Sequence, residues 1–156
     1  MTHDDLSAAL AQYKAALEAE IALLQHLDAV AGRQRRLTEA RELDRLSRES
    51  DERDSLMRRL ITIEDTLRPV RTLLQSHQQL AIRLPGYTEV VELREKATAL
   101  VQRILATDRD SMKALADAEL ARRAALASLE KGETTLAAYR KVLRPTDGAS
   151  LLDVSG

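Results

Sequence analysis

From Leu6 onward the apolar side chains of this chain recur every three or four residues, and nowhere do they alternate as a half-buried strand requires. Leu10, Tyr13, Leu17, Leu24, Leu27 and Ala31 form the first such line. A second runs through Leu43, Leu46, Ser50, Arg53, Met57, Leu60, Ile63, Leu67, Val70, Leu74, His77, Ala81 and Leu84. A third carries Val90, Leu93, Ala97, Leu100, Ile104, Leu105, Met112, Leu115, Leu126 and Leu129. This period is that of one helix face. It predicts an all-α chain of long antiparallel helices, an elongated helical bundle or coiled-coil hairpin, with helices near 3–36, 39–84, 88–131 and 133–143. Residues 1–144 form one domain in this reading, and 145–156 a flexible tail.

Glycine and proline set these boundaries. Thr2 followed by Asp5 is a capping pair for the first helix. Gly32 and the polar run Arg33 to Arg36 weaken the first line, so Thr38, with Glu39 and Glu42 behind it, is expected to cap the second helix. Pro69 lies inside that second helix and is expected to kink it, because its ring crowds the carbonyl one turn back. Pro85-Gly86 marks the clearest turn, Thr88 starts a third helix, and Gly132 separates a short final one.

Composition narrows the function. The chain has no Phe, no Trp and no Cys, and three tyrosines are its only aromatic residues. Small-molecule sites need apolar, aromatic walls with a few convergent polar groups, so an enzyme is disfavoured and no cofactor is expected. The absence of cysteine excludes disulfides and thiolate metal sites. With 24 basic residues against 25 acidic ones, mixed along the chain, no basic stripe points to nucleic acid. No apolar run reaches the ~20 residues of a membrane span, and the acidic start does not resemble a signal peptide, so a cytoplasmic location is expected.

Polar clusters add little chemistry at this level. His3, His26 and His77 lie in separate segments and make no two-histidine helical motif, so no metal is expected; His77 reads as a tolerated core residue with its ring bonded to a neighbour. Carboxylates such as Glu18 and Glu20, or Asp51, Glu52 and Asp54, read as solvated helix faces. Arg53 interrupts the second line within a very polar stretch. Either that end projects from the bundle or Arg53 meets an acid across the seam, and projection is the favoured reading because a buried unpaired guanidinium is costly. Arg33, Arg35 and Arg36 read as solubilising. Helices this long must fold back or pair with another copy, so a homodimer is one expectation.

The run Leu37, Leu43, Leu46, Arg53, Leu56-Met57 and Leu60 resembles the leucine-rich signature of FlgN-type flagellar export chaperones, and the end Arg144-Pro145-Thr146-Asp147-Gly148 resembles the family's closing Asp-Gly. Arg53 stands where the family has lysine, Arg33 where it commonly has glutamate, and the tyrosine expected before Asp-Gly is missing, with Tyr139 the nearest substitute. The resemblance implies a cytoplasmic chaperone that binds the C-terminal helical segments of hook-associated (filament junction) proteins, prevents their premature assembly and delivers them to the type III export apparatus. Tyr139, Asp147 and Gly148 then become expected contacts to that apparatus.

An amphipathic client segment needs an apolar helical surface, and the segment from Leu126 to Leu143 supplies one. Leu126, Leu129, Leu136, Tyr139, Val142 and Leu143 are its expected client contacts. Periodicity alone allows this segment to pack on the first two helices instead. The competing function is a structural coiled coil or adaptor with no client. A chaperone leaves the segment exposed, and a structural rod buries it.

Overall fold

The structure, a computed structural model, describes residues 2–143, with side chains through residue 132. Its elements are four helices, α1 (His3–Glu39), α2 (Leu43–Ser76), α3 (Gln78–Ala81) and α4 (Tyr87–Leu143). No strand occurs among the described residues, so the protein is an all-α helical bundle. The chain divides into two compact units, Met1–Met112 and Lys113–Gly156, where the sequence predicted one domain over 1–144.

In the first unit α1 and α2 are antiparallel, because contacts that climb α1 descend α2: Tyr13 meets Arg71, while Arg33 meets Glu49. The first part of α4 runs parallel to α1, with Lys14 paired to Glu89, Asp28 to Arg103 and Arg35 to Asp110. Three helices therefore share one interior. At one end Leu6, Leu10, Tyr13 and Leu17 of α1 pack on Leu67, Val70 and Leu74 of α2 and on Ala81, Leu84 and Val90. At the other, Ile21, Leu24, Leu27, Val30 and Ala31 meet Leu56, Ala97 and Ile104. Ile63 and Leu93 lie against both clusters and join them. Nonpolar area removed from water, at ~25 cal/mol per Å², is what holds these helices together.

The boundaries differ from the sequence expectation in four places, each for a local reason. Thr2 caps α1 as expected, exchanging hydrogen bonds with Asp5 in a capping box. However, α1 runs on past its expected end at 36 to Glu39. Thr38 is not a cap: it is buried within α1, and its hydroxyl donates to the Gln34 carbonyl at 2.7 Å. The turn comes later, where the Glu42 amide donates to the Leu37 carbonyl at 2.9 Å, the Arg41 amide donates to the Thr38 carbonyl at 3.1 Å, and Arg41 takes φ 59°. This is a Schellman closure with arginine in the place glycine usually holds.

Pro69 does not end α2, and it is exposed, so the Asp65 carbonyl it leaves without an amide partner faces the outside. The helix breaks eight residues later, at His77. Ser76 donates to the Thr72 carbonyl at 2.9 Å and the His77 ring bonds the Leu73 carbonyl at 3.2 Å, which are side-chain competitors for the last turn. His77 then leaves the helical region at φ −122°, so the predicted helix to 84 becomes α2, α3 and a turn. Gly86 closes that turn at φ 89°, a conformation open to glycine, and α4 begins at Tyr87 instead of Thr88. The predicted break at Gly132 is absent, since α4 is one helix to Leu143; a single glycine costs a helix only about 1 kcal/mol.

The seams also shift. Leu56, not Met57, is buried on α2, and it continues the spacing of Leu60, Ile63 and Leu67 toward Arg53. On α4, Val90, Ala97 and Ile104 are buried, while Leu105, Met112 and Leu115 are exposed.

Candidate functional site

The described residues of the second unit leave several leucines exposed. From Lys113 to Gly132 its helix exposes Leu115 at 44%, Leu120 at 63%, Leu126 at 36% and Leu129 at 48%. In sequence, Leu115 and Leu126 continue at eleven-residue spacing the line of Leu93 and Ile104, close to three helical turns per step. Leu120 lies well round the helix from that line. Glu119 sits between Leu115 and Leu126 and accepts from Arg122 at 2.9 Å and Arg123 at 3.0 Å. These two guanidiniums, Arg122 foremost, hold its carboxyl down at about 2. Such pairs one turn apart, with abundant alanine, support helix here through local terms.

Of the sequence-predicted client contacts, Leu126 and Leu129 are thus exposed on α4, three residues apart. Leu136, Tyr139, Val142 and Leu143 lie on the same helix, with side chains outside the described residues. Asp147 and Gly148, expected to meet an export apparatus, fall outside the described residues altogether.

In the first unit, two clefts of about 350 and 320 Å³ share Tyr13, Arg71 and Arg94. Leu10, Leu74, Tyr87 and Val90 floor one of them; Leu17, Ala97 and Val101 line the other, beside Glu20. Arg71 donates to the Tyr13 hydroxyl at 3.5 Å and to Glu64 at 3.3 Å, with its guanidinium 6.0 Å from the Tyr13 ring centre. Sequence reading placed Glu20 on a solvated face, but its Oε2 is buried with no hydrogen-bond partner among the described residues. The apolar spacing carried no signal for this: the buried Ile21 already continues the line between Leu17 and Leu24, and Glu20 sits beside it.

Burial first, and the neighbouring Glu64 carboxylate second, push Glu20 up to about 7 against Arg71, which pulls it down. In the unfolded chain this carboxyl ionises near 4.5, so between pH 4.5 and about 7 the folded protein binds more protons than the unfolded one. Stability therefore falls as pH rises through that window. Glu20→Gln keeps the shape and removes the titration. It is expected to stabilise the fold at pH 8 by ~1–2 kcal/mol, a value reduced from the full linkage because the group is partly solvated and screened. Urea melts at pH 5 and pH 8 check this, and an unchanged pH dependence in the variant would remove Glu20 as its source.

The polar end of α2 corrects the projecting-end reading. Arg53 pairs with both carboxylate oxygens of Asp108, at 2.7 and 2.6 Å, and donates to Gln34 at 2.8 Å. Gln34 donates in turn to Ser50 at 3.3 Å, and Arg33 bonds Glu49 and Glu52 at 3.0 and 3.2 Å. His26 meets Glu52 at 2.8 Å, and Arg35 lies 3.8 Å from Asp110. Arg33 and Arg35, read as solubilising, thus tie α1 to α2 and α4. A geometry this specific, with planar guanidiniums on carboxylates, fixes which residues stand opposite one another. No group of three or more metal-ligating side chains gathers among the described residues, and no helix there is long and apolar enough to cross a membrane.

Compared with known proteins, the chain matches no family model, no curated protein and no solved structure.

Proposed function

We propose that this chain is a cytoplasmic helix-binding chaperone of the flagellar export type. It covers the amphipathic C-terminal segments of hook-associated proteins with the apolar face of α4 and passes them to the export apparatus. The observation that carries this reading is the exposure of Leu126 and Leu129 beside Leu115 in the second unit. A helix whose leucines remain in water supports a surface that another amphipathic helix can cover, and covering it hides the client's own sticky face. Tyr139, Asp147 and Gly148 belong to the same proposal as contacts to the apparatus.

Calorimetric titration of the full chain with a peptide copied from the C-terminal helix of a hook-associated protein tests it. Saturable micromolar binding is expected. A chain ending at Glu130 lacks Leu136, Tyr139, Val142 and Leu143 and is expected to lose most of that binding. Full affinity in the shortened chain would move the site elsewhere, and no binding by the full chain would leave the structural adaptor as the better account.

A further inference from the structure

We propose that the second unit also pairs with a second copy of this chain, through an antiparallel helix contact centred between Leu120 and Ala121. The argument is one of self-complementarity. On a helix, Leu115, Glu119, Arg122 and Leu126 follow one another at steps of four, three and four, so they share one face. When two copies run in opposite directions about that centre, each residue faces the one whose number completes the same sum. Leu115 then lies opposite the other copy's Leu126, and Glu119 opposite its Arg122. The two-fold axis repeats both contacts.

Apolar side chains thus meet apolar ones and each carboxylate meets a guanidinium, so four residues on each copy give four matched contacts. The parallel alternative sets Glu119 against Glu119 and Arg122 against Arg122, and like charges directly opposed reject it. Ala118 and Ala125 flank the face on one side, and side chains this small let the backbones come close. Both leucines that would be covered are exposed, Leu115 at 44% and Leu126 at 36%. A polar pair in the middle of a short apolar seam selects partner direction and register at some cost in affinity.

This pairing stands on four residues of the second unit and does not require the client reading. Where both hold, a client and a second copy compete for Leu126, so the empty protein shields its own binding face.

Sedimentation equilibrium of the full chain, between about 1 μM and 1 mM, reads the association directly. A concentration-dependent dimer is expected, and a monomer throughout overturns the proposal. Glu119→Arg alone, or Arg122→Glu alone, is expected to weaken the dimer at least about tenfold. The double swap Glu119→Arg with Arg122→Glu is expected to restore it. These positions are solvent-facing, so circular dichroism should show the helices intact in all three variants. A dimer indifferent to the single swaps, or not rescued by the double one, overturns the register. Because the chain has no cysteine, Leu115→Cys and Leu126→Cys give a second readout. Oxidation of the two variants mixed together is expected to cross-link them, and neither alone. Self-cross-linking of either variant would indicate a parallel pair and overturn the proposal.

Discussion

Replacing Leu67 by alanine is expected to lower the unfolding free energy of the protein by about 3–4 kcal/mol, more than any surface change. Leu67 is 1% exposed and lies where α1, α2 and the start of α4 converge, among Leu10, Tyr13, Val70 and Val90. Removing three carbons there loses their transfer energy and leaves a cavity bounded by three helices, none of which can close it without drawing away from the other two. The helix that carries Leu67 is weakened already, because Pro69 supplies no amide to its turn. Leu105→Ala is the control: Leu105 is 52% exposed, and its truncation is expected to change stability by no more than ~0.5 kcal/mol. Urea melts followed by circular dichroism give both numbers. A loss under about 1 kcal/mol for Leu67→Ala would mean that α2 is not seated on this core.

That three-helix interior was legible in the sequence for a physical reason. Burial along a helix demands apolar residues at steps of three and four, and Leu6 to Ala31, Leu60 to Leu74 and Val90 to Ile104 supply them without interruption. The capping box at Thr2 and the turn at Pro85-Gly86 were legible as well, since each rests on chemistry confined to a few adjacent residues. What depends on distant partners was not. Thr38 has the side chain of a helix cap, and only the closure of α1 around Arg41 makes it an interior residue bonded one turn back. Arg53 reads as a projecting charge until Asp108, 55 residues away, is placed beside it. Glu20 lies beside the first line, next to the buried Ile21, so neither its burial nor the Glu64 and Arg71 around it could be read from spacing. The same limit governs the candidate site. Sequence identified Leu126 and Leu129 as an apolar pair, whereas their exposure follows from which helices lie nearby.

The exposure of that pair leads to the other large effect expected of this protein. Leu126→Asp with Leu129→Asp should abolish capture of an amphipathic client helix while leaving the first unit as stable as before. Each aspartate would have to be stripped of water where a leucine gained by being covered, and each should cost on the order of 1–3 kcal/mol of binding, so the pair weakens affinity at least about thirtyfold. Stability is spared because neither residue contributes to the two core clusters: Leu126 and Leu129 are 36% and 48% exposed, and among the described residues every buried one precedes Lys113. Two aspartates in mid-helix cost α4 only the ~0.5 kcal/mol each that separates them from leucine in helix propensity. Peptide titration and a thermal melt on the same preparation separate the outcomes. Lost binding with an unchanged melting temperature supports a docking face. A collapse of the melting temperature by ten degrees or more, roughly the loss of 2 kcal/mol in a domain of this size, would identify the leucines as core and defeat the chaperone reading.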